Sequence, residues 1–327
     1  MKLATMKSGG RDGRLVLVSC DNALALQVDA VALTLQQALE NWASTEPRLR
    51  LLSDELNAGR AVGAFAFDPM LAMAPLPRAY QWCDGSAYLS HGALMQKAFN
   101  LQPVDGADET PLMYQGAGDD FLGGREDIAL PSESQGIDFE GEFGVLVDEV
   151  PMGCSADRAL QHIKLIVQIN DVSLRALAPR EMITGFGFLQ AKPSCSFAPL
   201  ALTPDELGEA WKDGRVHLPL RVQRNGEWFG HPHGGAMNFH FGELIAHAAF
   251  TRRLRAGTVI GSGTVSNADR RVGSACIAER RAIEMIEQGA AQTEFMRFGE
   301  QVQMEVLGAD GLSLFGGIDQ HIVQACS

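Results

Sequence analysis

Asp138, Glu140 and Glu142 stand two apart in "GIDFEGEFGVLVDEV" (residues 136–150), a stretch that alternates like a half-buried strand. Side chains at i and i+2 of a strand point the same way, so the three carboxylates share one face and Phe139, Phe143, Val145 and Val147 the other. One reading is a solvated face of an antiparallel sheet; the other is a cation held by oxygen ligands. Two more acids have the same potential: Asp84 in "CDGSAYLSH" and Asp171, which ends the apolar run "HIKLIVQIND". Hard cations such as Mg2+ and Ca2+ take oxygen ligands, and carboxylates from separate segments would supply them while leaving places for water and substrate. If these acids converge they repel one another, so convergence calls for a cation.

Other residues could act beside such an ion. His91 follows Asp84 by seven residues, and imidazole is a natural general base near neutral pH, although a lone histidine is commonly a structural hydrogen-bonder. Glu279, in "SACIAERRAIEMIEQG", could orient that histidine or be an exposed helical glutamate. Arg175 and Lys192 are either site cations or members of surface ion pairs. His231 and His233 in "GHPHGG" lack a Cys or distant His partner at zinc-binding spacing and read as loop residues.

The elements that must position these groups are mainly strands. "RLVLVSC" (14–20) and "HIKLIVQIND" read as apolar strands, "VHLPLRVQRNGEWFG" as a hairpin turning at Asn225-Gly226, and a further strand begins at Thr258. Helices are expected from about Leu33, broken near Pro47, and from about Phe241 to Leu254. Pro75 and Pro77 mark a boundary between a small β-rich N-terminal module, residues 1–77, and a larger remainder, 78–327. The segment "GSGTVSNADRRVGS" lacks the G-x-G-x-x-G spacing of a dinucleotide-binding loop.

The totals narrow the class. With 327 residues, 46% of them hydrophobic and 20% charged, the chain is an ordinary globular protein, and 35 glycines favour a loop-rich fold over a helical bundle. A net charge of -13 argues against nucleic acid or anionic membrane as partner. No apolar run approaches the roughly 20 residues of a membrane helix and the opening residues lack a signal-peptide core, so a cytoplasmic protein is expected. The six cysteines, Cys20, Cys83, Cys154, Cys195, Cys276 and Cys326, form no C-x-x-C pair and are expected to be buried thiols, with Cys326 exposed.

Taken in order, "CDGSAYLSH", "DFEGEFGVLVDEV", "INDVSLRAL", "FLQAKPSCS" and "GSGTVSN" resemble the fumarylacetoacetate hydrolase family from about Pro75 onward. The resemblance implies an α+β, strand-rich protein: a C-terminal mixed β-sandwich roll holding the site, a small N-terminal domain that is often barrel-like, and a homodimer. It implies that Asp84, Glu140, Glu142 and Asp171 bind Mg2+ or Ca2+, with Mn2+ as a further candidate. His91 is then the base, oriented by Glu279; Lys192 helps hold the oxyanion; and Arg175, Tyr114 and Thr264 contact substrate, leaving Asp138 to a supporting place or to solvent. The pattern departs at Ala178, where a Gln is expected, and at Ser86, where a Tyr is expected, and Glu279 falls two residues off the simple alignment.

The implied activity is metal-dependent hydrolysis of a carbon–carbon bond in a β-diketone, such as fumarylacetoacetate or an acylpyruvate, within aromatic catabolism. The cation would polarise the diketo acid while His91 takes a proton from water. A hydratase, isomerase or decarboxylase acting on a 2-oxo acid is the alternative within the family, because one metal shell serves all these reactions. A metal-bound β-rich binding module without catalysis is the alternative from another class, and it leaves His91, Lys192 and Arg175 without a role.

Overall fold

The computed structural model describes residues 1–8, 10–100 and 102–326. Short apolar strands at the start of the chain, Lys2–Met6, Arg14–Val18 and Leu24–Gln27, pair antiparallel in sequence order. They do not close into a barrel. Lys2 and Leu3 pair with Leu202 and Ala201, so these strands extend a large sheet whose middle is built from the rest of the chain. Beyond Ala201–Leu202 the sheet continues through Ile163–Asn170, Gly141–Val147, Val259–Gly261, Trp82–Gly85 and Met113–Gly116.

A second sheet has the order Glu227–Gly230, Arg221–Arg224, Gln301–Glu305, Ile318–Gln324, Ile128–Leu130. The hairpin expected at Asn225-Gly226 forms, with both residues at positive φ (54° and 76°), the backbone of a two-residue turn that matches strand twist. Val145 and Ile166 of the large sheet share one apolar core with Val222, Val302 and Met304 of the second sheet. On the other face of the large sheet, Leu146, Leu165 and Val167 join Trp42 and Leu49 of the Trp42–Asn57 helix. Covered on both faces, Gly141–Val147 is buried along its whole length, so its alternation does not separate core from solvent.

Two helix boundaries differ from expectation. The break falls at Asn41, between Leu35–Glu40 and Trp42–Asn57, and Pro47 lies inside the second helix. Asn41 closes the first helix through its N–H to Ala38, and Pro47, in the second turn of the next helix, removes only one later bond. The helix starting at Phe241 ends at Ala248 because Leu254 pairs antiparallel with Val150. Cys20 is exposed along with Cys326, while the other four thiols are buried. Among the described residues no helix is long and apolar enough to cross a membrane.

Candidate metal centre and its flanking base

Three strands meet edge to edge where the acids lie. Val259–Gly261 runs between Trp82–Gly85, which it pairs in parallel with Gly261 opposite Asp84, and Gly141–Val147, with Gly144 opposite Gly261. Gly141 in turn faces Asn170 and Glu142 faces Ile169, and the Asp171 N–H bonds the Glu140 carbonyl, so Asp171 follows the end of the strand beside the one that carries Glu142. One carboxylate oxygen from each of Asp84, Glu142 and Asp171 lies within 4.8 Å of the other two, and all three residues are buried.

Their partners differ. Asp84 Oδ1 accepts the Gly263 N–H at 3.0 Å. Asp171 Oδ2 accepts from the Tyr114 hydroxyl and from Lys192 Nζ, each at 2.5 Å, and its Oδ1 from the Cys195 thiol at 2.8 Å. Glu142 is 0% exposed, and among the described residues neither of its oxygens has a hydrogen-bond partner. A buried carboxylate without donors is costly, and two further carboxylates beside it raise that cost. Burial, followed by the Asp171 charge, pushes Asp84 up to about 8; burial, then Asp84 and Asp171, raises Glu142 well above the carboxylate range. An all-oxygen donor set with one member lacking any donor fits a hard divalent cation.

Glu140 stands apart from this set, so the structure brings together three of the four expected ligands. Its Oε1 accepts from Ser173 Oγ at 2.5 Å, Arg175 Nη2 at 2.7 Å and Lys192 Nζ at 2.9 Å, and its Oε2 from the Thr264 hydroxyl. Burial alone would raise Glu140, but Lys192 and Arg175 outweigh it and hold the carboxyl well below its ordinary value. Lys192 and Arg175 engage Glu140, and its Oε1 shares Lys192 Nζ with Asp171 Oδ2. The same contacts occupy Arg175 and Thr264, which the resemblance assigned to substrate: Arg175 Nε also bonds Asp138 Oδ2 at 2.8 Å. Tyr114 is likewise engaged, through Asp171, and its ring packs edge-on against Phe188 with centroids 5.1 Å apart.

The residue expected to act as base lies on a separate pair of helices. His91 is in the first turn of Leu89–Phe99 and Glu279 in the first turn of Ile277–Gln288, and the two helices pack together. His91 Nδ1 is 3.7 Å from Glu279 Oε1, within ion-pair reach and outside hydrogen-bond distance. Glu279 is buried and its Oε1 accepts from Ser266 Oγ at 2.5 Å, which in turn accepts from Ser90 Oγ at 2.9 Å. A cleft of about 230 Å³ opens here, lined in part by Ser90, Leu94, Lys97, Asn267 and Glu279.

Asp138 is also buried, which excludes the solvated-face reading of all three strand acids. Sequence reasoning missed Ser266 and Ser90, whose hydroxyls carry no pattern of their own, and it treated Cys195 only as a buried thiol. Its place three residues after Lys192 was the available signal that it lies near the site.

Comparison with known proteins agrees with this arrangement of strands. The family description "Fumarylacetoacetate (FAA) hydrolase C-terminal" matches residues 81–323, and "Fumarylacetoacetase N-terminal domain 2" matches residues 1–78. The chain therefore belongs to the fumarylacetoacetate hydrolase family. It is 29% identical over 157 residues to the 2,4-didehydro-3-deoxy-L-rhamnonate hydrolase of Sphingomonas sp. (strain SKA58), covering 47% of this chain and 52% of that protein. To the mitochondrial oxaloacetate tautomerase fahd2 of Xenopus laevis it is 25% identical over 185 residues, covering 56% and 53%. The chain thus spans about half the length of these curated relatives. In fold it is similar to the fumarylacetoacetate hydrolase of Exiguobacterium antarcticum (TM-score 0.68, 17% identity, 99% and 100% of the chains). It is also similar to the maleylpyruvate hydrolase of Sphingobium sp. SYK-6, solved with manganese(II) and pyruvate (TM-score 0.66, 14% identity, 100% of both chains).

Proposed function

We propose that the chain is a divalent-metal-dependent hydrolase that breaks a carbon–carbon bond in a β-diketone acid such as an acylpyruvate or fumarylacetoacetate. The observation that carries this reading is Glu142, buried with both oxygens unpartnered beside Asp84 and Asp171. Mg2+, Ca2+ or Mn2+ suits the three carboxylates, and the manganese and pyruvate in the Sphingobium structure support that choice of ion and of substrate fragment. A cation bound there supplies Lewis acidity to the diketo acid.

The chain's own residues do the rest. With Nδ1 3.7 Å from Glu279, His91 has Nε2 left to take a proton from water as the oxygen bonds to the carbonyl carbon. The electron pair of the breaking carbon–carbon bond passes to the departing oxo-acid fragment. His91 returns the proton to that fragment, giving a carboxylic acid and a 2-oxo acid from an acylpyruvate, or fumarate and acetoacetate from fumarylacetoacetate. The gap of 3.7 Å to Glu279 is of the kind that closes when substrate is bound. Lys192, next to Asp171, adds positive charge on the metal side, where negative charge accumulates.

A second reading, proton transfer on a 2-oxo acid without bond cleavage, is favoured by the oxaloacetate tautomerase among the relatives, since the same base can move a proton between carbon and oxygen. A screen of acylpyruvates, fumarylacetoacetate and oxaloacetate with Mg2+, Mn2+ or Ca2+, read by loss of diketone absorbance and by release of acid, separates the two. Acid release from a diketone is expected. Enol–keto exchange of oxaloacetate without cleavage of any diketone would favour the second reading. Metal stabilisation without turnover of any of these compounds would instead identify a binding module.

A further inference from the structure

We propose that Asp138 is a positioning residue that locks the carboxylate–cation half of the site to the His91–Glu279 half by fixing the start of the Ile277–Gln288 helix. Asp138 is 1% exposed and both of its oxygens are engaged. Oδ1 accepts the Ile277 N–H at 2.7 Å; Oδ2 accepts the Ala278 N–H at 2.9 Å and Arg175 Nε at 2.8 Å. Arg175 reaches on to Glu140, and Lys192 bridges Glu140 to Asp171. The residue after Ala278 is Glu279, which faces His91. An unbroken set of contacts therefore runs from a member of the carboxylate trio to the base.

The helix depends on this strand residue for its first N–H groups. A helix start leaves donors without partners inside the helix, and they are ordinarily met by Ser, Thr, Asp or Asn at the capping position. Here that position is Cys276, whose sulfur, a weak acceptor, takes only the Glu279 N–H at 3.3 Å. Asp138 supplies the two missing acceptors, and its negative charge sits at the positive end of the helix. A local cap would stabilise the helix equally well but leave its first turn tied to the strand only through the incoming segment. Backbone contacts of Gly141 and Glu140 with Ala275 and Cys276 hold the incoming segment near the strand, and Asp138 reaches from it into the first turn.

This inference rests on the His91–Glu279 base proposed above, and a double-mutant cycle separates the two. In Asp138→Asn the amide has one acceptor oxygen for three donors and turns an NH2 towards one of them. We expect kcat to fall about 10- to 100-fold, with KM and Mn2+ affinity, titrated by paramagnetic resonance, changed less than about twofold. In a Glu279→Gln background the same substitution should cost no further rate. A loss that multiplies with that of Glu279→Gln, a loss that follows Mn2+ affinity, or unchanged turnover in Asp138→Asn would each overturn the role given to Asp138. Unchanged turnover in Glu279→Gln would overturn the base assignment itself, and this inference with it. Should Asp138→Asn fail to fold, Ile277→Pro removes one donor at a helix position that accepts proline, after an extended Cys276, and the same cycle applies.

Discussion

Gly261 stands opposite Asp84 in the parallel register, so close that a methyl group on its Cα would lie 2.3 Å from Asp84 Oδ1. The same carbon would lie 2.3 Å from the buried Trp82 ring. The missing side chain is the room into which the carboxylate turns towards Glu142 and Asp171. Gly263, at φ +74°, then places its N–H on Asp84 Oδ1 and fixes that orientation.

Gly261→Ala should therefore swing Asp84 out of the trio. Overpacking of this kind costs about 1–3 kcal/mol, measurable by chemical denaturation, and Mn2+ titration should show divalent binding weakened in the folded variant. Wild-type affinity in Gly261→Ala would mean that Asp84 does not contribute to the ion site.

His91→Ala should lower kcat on a cleaved diketone by about 10² or more, the usual contribution of a positioned base, and leave Mn2+ binding as in wild type. Single-turnover absorbance and metal titration on the same sample check both halves. Unchanged turnover would remove His91 from the mechanism.

Lys192→Met keeps the length of the side chain and removes the ammonium from between Glu140 and Asp171, whose side chains are 7% and 0% exposed. Breaking a buried pair by deleting one partner costs about 3–5 kcal/mol, so the denaturation midpoint should drop clearly. Arg297→Met, at an exposed pair with Glu294, is the control, and a change within about 0.5 kcal/mol is expected there.

How far these relationships could be read in advance depended on their range. The two-residue spacing of Asp138, Glu140 and Glu142 placed them on one side of the chain, because strand geometry is local. Their different fates are set by distant segments: Asp138 meets the start of a helix at Ile277, Glu140 meets Arg175 and Lys192, and Glu142 meets Asp84 and Asp171. Nothing in a strand pattern tells which of two neighbouring glutamates will be claimed by cations. The Asn225-Gly226 turn was legible because two residues fix it, whereas the position of Pro47 inside a helix was hidden by the break six residues earlier at Asn41. The extension of the large sheet by the first strands could not be read either, since it rests on pairing across about 200 residues.

Chelator-treated protein should lose stability as pH rises. Asp84 is raised from 3.8 to about 8, and Glu142 is raised well above its ordinary value, so their folded forms favour protonation. A raised carboxyl contributes stability that is full below its unfolded pKa and is lost as pH climbs through the folded value. Asp171, Glu140 and Lys192 face the same space, and Lys192 offsets part of the effect on Asp84. Thermal unfolding between about pH 5 and pH 9 should thus show Tm falling more steeply without metal than with saturating Mn2+. Parallel curves would contradict the crowding of carboxylates at this point.

The most direct test of the central claim is anomalous diffraction from crystals soaked in Mn2+, for wild type and for Glu142→Gln. A peak among the carboxylates of Asp84, Glu142 and Asp171 in the wild type, weakened or absent in the variant, is the predicted result. A wild-type map without a peak there, or a peak of undiminished height in Glu142→Gln, would contradict it.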